Sequence, residues 1–251
     1  MAYWLNVPHL PHAPVSCVAL SAQETTLAEA LASRSVAVLP VPPHPALPSP
    51  VASHADLNLF DCGEGNFLVL PGASPTLSDS LRALGASVSI CTGIPGNRYP
   101  ADALLDAAML GSDCFANPKT ATPDLSELCQ SHSIRLIPVK QGYTKCSMVL
   151  LPDGGIITED SGIAPVARKY GYDVLLLRPG FVSLPGYSCG MLGGSCGMLA
   201  PDCLAFAGNW KLHPDAGEIF AFCSNYHVFP EALASFPLRD VGGLLPVTIH
   251  P

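Results

Sequence analysis

The sequence has few charged residues and no long apolar run. Charged residues make up 13% of the 251 residues, and hydrophobic residues make up 49%. An average soluble protein is about 25% charged, so this balance favours many buried strands with little surface helix. No apolar stretch approaches the ~18 residues that a membrane-spanning helix needs, and we therefore expect no membrane segment.

Basic residues are particularly scarce. Twelve Lys and Arg stand against 20 Asp and Glu, which gives a formal net charge of −8. Binding to nucleic acid requires clustered Lys and Arg, so we expect no nucleic-acid partner. The negative field better suits a small cationic substrate. Residues 1–5 lack the basic start of a secretion signal, and we expect a cytoplasmic protein.

Ten cysteines occur, but without a familiar metal-binding or redox pattern. No C-x-x-C is present, and the seven-residue intervals between Cys189, Cys196 and Cys203 match no common zinc spacing. Free cysteine behaves as a small buried hydrophobe. The sequence therefore predicts core cysteines and no metal or organic cofactor. The cysteines within apolar strand or helix patterns are Cys17, Cys91, Cys114, Cys129, Cys203 and Cys223.

A unit of roughly forty residues recurs along the chain, and each copy is predicted to form two strands, a helix and a third strand. In the clearest copy, an apolar strand from Cys146 turns at 152–155 into a second strand. A helix at 161–170 and a strand at 173–177 follow. We predict five such units, at residues 15–41, 54–91, 105–139, 146–180 and 196–230.

A strand-like segment at 241–249 follows the fifth unit. Pairing of this segment with the first unit would remove an exposed sheet edge. We therefore predict an α/β propeller: one domain over 1–251, closed into a ring of five ββαβ units with pseudo-fivefold symmetry. A ring of this kind places its functional site on the axis.

Two short motifs carry a family resemblance. His54-Ala-Asp56 resembles an H-x-D pattern, and Gly193-Gly-Ser-Cys196 resembles a glycine-rich segment that ends in a nucleophilic cysteine. With five ββαβ units, their order and their placement at unit starts resemble the pentein fold of the guanidine-modifying enzymes. These are arginine and agmatine deiminases, dimethylarginine hydrolases and amidinotransferases. The segments 142–146, 157–160 and 208–215 further resemble an uncharacterised bacterial family of the same fold.

The resemblance implies a cysteine-dependent hydrolase or amidinotransferase-like enzyme that acts on a guanidine or amidine compound. It implies Cys196 as nucleophile, His54 as acid/base and Asp56 as a carboxylate that holds the guanidinium. The chemistry needs these types: carboxylates bind the planar N–H groups, a thiolate attacks the carbon, and a histidine protonates the departing amine. We expect His54 and Asp56 to share one face of a strand, because they lie two residues apart.

Two alternatives remain open. Cys146 opens the fourth unit and would compete with Cys196 as nucleophile if its side chain faced the axis. Adjacent strand residues point to opposite faces; if Lys145 faced inward instead, it would suit an anionic group on the ligand. No further acidic motif resembling the family's Glu-Gly-Gly-Asp precedes His54. A non-catalytic pentein-fold module that binds a ligand or a protein is therefore the second interpretation.

Other polar residues are candidates for substrate binding beside Lys145. Glu159 precedes a predicted helix and would bind substrate or cap that helix. Asn209 and His213 alternate along an extended segment that would line one rim, or they mark a helix start. Asp240 is a turn residue or a further carboxylate of the site.

Overall fold

The computed structural model describes residues 2–251. Within them lie six α-helices: α1 (Thr25–Ala32), α2 (Ala55–Asn58), α3 (Pro75–Ala83), α4 (Pro123–Ser131), α5 (Ile163–Lys169) and α6 (Ala216–Asn225). The strands of this part of the chain are β1 (Tyr3–Trp4), β2 (Val15–Ser21), β3 (Ala37–Val41), β4 (Leu59–Gly63), β5 (Asn66–Val69), β6 (Ser87–Ile90), β7 (Ala108–Leu110), β8 (Asp113–Ala116), β9 (Arg135–Pro138), β10 (Met148–Leu150), β11 (Gly155–Thr158), β12 (Asp173–Leu176), β13 (Cys196–Ala200), β14 (Cys203–Phe206), β15 (Phe229–Ala232) and β16 (Leu245–Ile249).

Between residues 2 and 251 these strands form five small sheets, none of which closes on itself. Four sheets have the same pattern: β4-β5-β6, β7-β8-β9, β10-β11-β12 and β13-β14-β15. In each, the first strand is antiparallel to the second, and the second is parallel to the third. A parallel pair needs a crossover connection, which α3, α4, α5 and α6 provide.

The remaining sheet combines the two ends of the described chain in the order β1-β16-β2-β3. Strand β16 is antiparallel to β2, with Leu245 opposite Ala19, and β2 is parallel to β3, with Val18 opposite Val38. The C-terminal strand therefore takes the position that β4, β7, β10 and β13 hold in the other sheets.

The apolar core is divided into clusters that each join two sheets. One cluster packs Phe60 of β4 against Met109 of β7, and another packs Ile156 of β11 against Phe115 of β8. Similar clusters join the β10 sheet to the β13 sheet and the β16 sheet to the β4 sheet. A further cluster packs Ala205 of β14 against Val18 of β2, so the last sheet of the chain also contacts the first.

Local sequence signals predicted several elements well. The predicted helix at 161–170 is the slightly shorter α5. The predicted strand at 173–177 is β12, which ends one residue earlier. All ten cysteines are unpaired. Of the six that were predicted to lie in the core, five are buried and Cys203 is half-buried.

The predicted strand at His54–Asp56 is wrong. Residues Ala55–Asn58 form the helical turn α2, and β4 begins only at Leu59. The Asn58 side chain donates hydrogen bonds to the carbonyls of Ala52 (2.9 Å) and His54 (2.8 Å), which stabilises the turn.

Two further expectations of extended structure are also wrong. Lys145 and Cys146 lie in a turn before β10, where the N–H of Ser147 donates to the carbonyl of Tyr143 at 3.1 Å. The alternation of strand side chains therefore does not apply to them. Of the two alternatives for Asn209, the extended rim is wrong and the helix start is confirmed, because the residues after it form a 3-10 helix, Trp210–Leu212.

Among residues 2–251, every helix is too short or too polar to cross a membrane.

Candidate functional site

The first strand of each sheet is preceded by a short segment, and these segments meet. Cys146 and Asp106 lie two residues before β10 and β7, and Asp56 lies three residues before β4. Gly194 and Gly243 lie two residues before β13 and β16. Gly194 donates its N–H to the carbonyl of Cys146 at 2.9 Å and accepts from the N–H of Gly243 at 2.8 Å. Equivalent positions of different repeats thus build one site.

Two buried carboxylates surround Cys146. Its Sγ donates a hydrogen bond to Asp56 Oδ2 at 2.9 Å, and its main-chain N–H donates to Asp106 Oδ1 at 3.2 Å. The N–H of Lys145 donates to the same oxygen of Asp106. One ligand atom from each of Asp56, Asp106 and Cys146 lies within 4.8 Å of the other two. A single small cation could therefore contact all three residues.

Each carboxylate keeps one oxygen without a partner. Asp56 and Asp106 are both 2% exposed. Among the described residues, Asp56 Oδ1 and Asp106 Oδ2 meet no hydrogen-bond donor. Because an unpartnered buried polar atom is costly, these oxygens mark positions where a bound N–H donor would be stabilised.

The pKa values of Asp106 and Cys146 in this cluster are both raised. Burial raises the pKa of Asp106 well above its usual range, and the charge of Asp56 raises it further. Burial also raises the pKa of the Cys146 thiol, and the charges of Asp106 and Asp56 add to this effect. A cation bound beside these groups would act in the opposite direction on both pKa values.

His54 and Asp240 form a second buried polar pair. His54 Nδ1 lies 3.7 Å from Asp240 Oδ1. The carboxylate of Asp240 also accepts hydrogen bonds from the N–H groups of Met191 (2.9 Å) and Gly242 (3.1 Å). Burial raises the pKa of Asp240, and the nearby His54 opposes that rise. The main-chain donors hold the carboxylate in place, so its charge lies beside the His54 ring.

A cavity of about 60 Å³, which we call the inner cavity, is lined by Cys146, His54 and Asp240. One water needs only about 10–15 Å³, so a larger polar group fits. Much of its wall comes from the irregular segment between β12 and β13: Leu184, Tyr187, Cys189, Gly190 and Met191. Asp56 and Asp106 contact the thiol but do not line the cavity.

Lys145 faces a different space from Cys146. Its Nζ donates to the carbonyl of Gly193 at 3.0 Å, and it lines a small cavity of about 20 Å³ with His9 and Cys196. Burial lowers the pKa of His9 to about 3, and the charge of Lys145 lowers it as well. The turn before β10 therefore sends its thiol and its ammonium group into separate cavities.

Cys196 lies in the apolar cluster between the β10 and β13 sheets. Over residues 2–251, its Sγ has contacts of hydrogen-bond type only with the carbonyls of Leu192 (3.5 Å) and Gly193 (4.0 Å). Burial raises the pKa of its thiol to about 12, although Lys145 acts against this rise. The predicted partners His54 and Asp56 are found with Cys146 instead.

Three predicted substrate-binding residues do not line the inner cavity. Glu159 lines a neighbouring cavity of about 150 Å³ and accepts a hydrogen bond from the N–H of Leu192 at 3.0 Å. Burial raises the pKa of Glu159 to about 7. Asn209 caps its 3-10 helix by accepting from the N–H of Lys211, and His213 Nδ1 accepts from the N–H of its neighbour Asp215.

The sequence analysis did not identify Asp106. No motif marks this residue, yet its position relative to the following strand is the same as that of Cys146. Aligning the units on their first strands, rather than searching for sequence motifs, would have identified it.

Comparison with known proteins identifies both the fold and the family. An inosamine-phosphate amidinotransferase from Streptomyces griseus is similar in structure, with a TM-score of 0.58, 12% identity, and coverage of 97% of this chain and 96% of that one. A C. jejuni agmatine deiminase mutant with substrate bound has a TM-score of 0.57, 8% identity and 97% coverage of both chains.

A dimethylarginine dimethylaminohydrolase from Pseudomonas aeruginosa, complexed with citrulline, has a TM-score of 0.54 and 12% identity, covering 88% of this chain and 93% of that one. These neighbours are members of the pentein superfamily, and the chain shares their mixed α/β fold. A search of curated proteins finds no matching sequence. A family model described as "Family of unknown function (DUF6873)" matches residues 19–245, and the chain belongs to that family.

Proposed function

We propose that this protein is a cysteine-dependent enzyme that modifies a small cationic guanidine or amidine compound, with Cys146 as the nucleophile. The observation that carries this proposal is the cluster of Asp56, Asp106 and Cys146. Each of the two buried carboxylates has one unpartnered oxygen. The Cys146 thiol lies 2.9 Å from the other oxygen of Asp56.

A guanidinium ion supplies hydrogen-bond donors for the two unpartnered carboxylate oxygens of this cluster. Its N–H groups can donate to Asp56 Oδ1 and Asp106 Oδ2, and charge-assisted hydrogen bonds of this type are the strongest that a carboxylate accepts. The Cys146 thiol donates to the other oxygen of Asp56, Oδ2, so it lies beside the bound ligand. The positive charge of the ligand lowers the pKa of the thiol, so that the substrate promotes formation of the thiolate that attacks it.

His54 supplies proton transfer. The thiol proton of Cys146 passes to His54, and the thiolate attacks the guanidinium carbon. The protonated imidazole then gives its proton to the departing amine. In a hydrolase, His54 next takes a proton from the water that releases the product; in an amidinotransferase, it takes one from the acceptor amine. Asp240 stabilises the protonated ring.

We prefer Cys146 to Cys196 as nucleophile because of their neighbours. Cys146 lines the inner cavity with His54 and contacts Asp56, whereas Cys196 contacts carbonyl oxygens inside an apolar cluster. The printed descriptions of the similar structures also support this chemistry: one dimethylarginine dimethylaminohydrolase and one agmatine deiminase carry ligands in mutants in which a cysteine is replaced by serine.

We also infer that the five sheets close into one ring over residues 2–251. The support is that each sheet packs against two others through the apolar clusters, including the last sheet against the first. We further propose that the repeats have the predicted bounds and that the protein is cytoplasmic.

A non-catalytic binding module is the second candidate. It is favoured by the raised pKa of the Cys146 thiol, which keeps the thiol protonated in the free protein. Calorimetry with a panel of guanidine compounds, paired with assays for released ammonia or amine, separates the two. Binding with turnover supports the enzyme, binding alone supports the module, and the absence of binding contradicts both.

A further inference from the structure

A second, larger cavity adjoins the inner cavity. This outer cavity has a volume of about 410 Å³ and shares His54, Leu184 and Asp240 with the inner one. Ligand pockets usually measure about 300–1,000 Å³. The outer cavity therefore has the size to hold the part of a substrate that extends beyond the reacting group.

The outer cavity presents hydrogen-bonding groups that the mechanism does not use. Ser21 Oγ and Ser53 Oγ lie 2.7 Å apart, and these residues are only 5% and 2% exposed. The Arg239 guanidinium donates to Glu24 through one terminal nitrogen, but its buried Nε has no acceptor among the described residues. Buried donors normally have a partner, so a ligand oxygen that accepts from Arg239 Nε would be stabilised there.

The charges around the outer cavity favour an uncharged ligand oxygen over an anionic one. Arg239 is already paired with Glu24, and Asp240 is paired with His54 at the boundary with the inner cavity. A carboxylate or phosphate on the ligand would therefore be repelled by Glu24 and Asp240 without a free cation to balance it. A hydroxyl group accepts from Arg239 Nε and donates to a serine or to Glu24 without adding charge.

We propose that the outer cavity binds an uncharged, hydroxyl-rich tail of the substrate, recognised by Arg239 and the Ser21–Ser53 pair. This inference rests on the proposed function, because it places the guanidinium head of the same molecule at the cluster of Asp56, Asp106 and Cys146, and Cys146 also lines the inner cavity. The substrate class is then a guanidine or amidine attached to a polyhydroxylated group.

Binding of three ligands with the same head tests this directly. The probes are (2,3-dihydroxypropyl)guanidine, propylguanidine and 3-guanidinopropanoate, measured by calorimetry on the full-length protein. One or two added hydrogen bonds should make the dihydroxypropyl compound bind about tenfold more tightly than propylguanidine. The carboxylate compound should bind no better than propylguanidine.

Two variants test whether Arg239 and the Ser21–Ser53 pair cause the preference for the dihydroxypropyl compound. Arg239→Lys keeps the charge but removes Nε, and Ser53→Ala removes one hydroxyl; each should reduce the preference for the dihydroxypropyl compound to less than about threefold. Arg34→Lys is the matched control, because Arg34 pairs with Glu231 and its side chain has the same 34% exposure as that of Arg239. This control should keep the full preference.

The outcomes separate the two proposals. If the dihydroxypropyl compound is preferred and both variants lose the preference, the inference stands. Equal binding of all three ligands, or tightest binding of the carboxylate, overturns the hydroxyl-rich tail but leaves the guanidinium site intact. If none of the three binds, the proposed function fails, and the inference fails with it.

Discussion

Cys146 and Cys196 belong to the segments that open consecutive repeats, yet their surroundings differ completely. Cys146 lies between two carboxylates at the end of the inner cavity, whereas Cys196 is enclosed by apolar side chains and carbonyl oxygens. The register explains the difference. Cys146 lies two residues before β10, but Cys196 is the first residue of β13, so the residue equivalent to Cys146 in the next repeat is Gly194.

This comparison shows what the glycine-rich motif does in the chain. A side chain at Gly193 would overlap the carbonyl oxygens of Lys145, Met148 and Cys146, and one at Gly194 would overlap the carboxylate of Asp240. The glycines therefore allow one repeat to pack closely against the turn that carries the thiol of the previous repeat. The motif supports a nucleophile that lies outside it.

Replacing each thiol by serine should give the largest difference in turnover between the two regions. We expect Cys146→Ser to lower turnover of a guanidine substrate by at least about 10³-fold, because the nucleophile is lost. Cys196→Ser should change turnover by less than about threefold and should cost about 1 kcal/mol of stability. Rates of ammonia or amine release and urea unfolding measure the two effects. A large loss of turnover in Cys196→Ser alone would reverse our assignment.

Removing one carboxylate charge should weaken guanidinium binding. Asp106→Asn loses a charge-assisted hydrogen bond, which corresponds to about 10- to 100-fold in Kd. Asp61→Asn is a matched control, since Asp61 is also buried but lies on β4 outside the cluster. Calorimetry should show no change of Kd in this control. Equal weakening in both variants would mean that net charge, not the cluster, attracts the ligand.

Guanidinium binding should depend on pH through Asp106. Because the pKa of Asp106 is raised in the free protein, its proton must leave before a cation binds. Affinity should therefore increase with pH, by up to about tenfold per pH unit, and level off above that pKa. Without ligand, the protonated carboxyl favours the folded state at low pH, and this contribution to stability is lost as pH rises through the folded-state pKa. Kd measured from acid to neutral pH in wild type should show the slope, and Asp106→Asn should lack it.

The smallest effects concern packing. We expect Gly193→Ala to destabilise the protein by about 1–3 kcal/mol, because its methyl group meets main-chain oxygens. Gly217→Ala is the control: that position on α6 has open space around it, and alanine should stabilise the helix by up to about 1 kcal/mol. Thermal unfolding of both variants tests the packing role of the motif, and an unchanged midpoint in Gly193→Ala would contradict it.

Sequence patterns predicted the parts of the fold that depend on local chemistry. The predicted helix at 161–170 and strand at 173–177 correspond to α5 and β12, because helical spacing and apolar runs are local signals. The turns that carry the site could not be predicted in this way. Turn α2 is joined to a distant repeat by the hydrogen bond from the N–H of Asp56 to Gly242, and the turn at Cys146 is joined to Asp106. These contacts form only when the repeats come together.

The same dependence on contacts between repeats explains why only part of the candidate site was identified from the sequence. His54, Asp56 and Asp240 were selected from the sequence, and the structure brings them close to Cys146, the alternative nucleophile. Asp106 was missed because its role follows from its position in the repeat and not from its neighbours in sequence. Asn209 and His213 accept main-chain hydrogen bonds within their own segment, so local structure accounts for their polarity.

Chemical labelling of the wild-type protein tests the central claim most directly. Chloroacetamidine is a small amidinium electrophile, and its cationic head should bind the two carboxylates and present its reactive carbon to the adjacent thiol. Peptide mapping by mass spectrometry should find modification at Cys146, lost in Asp106→Asn, with Cys196 unmodified. Modification at Cys196, or modification of other cysteines such as the exposed Cys189 with Cys146 unreacted, would contradict the account.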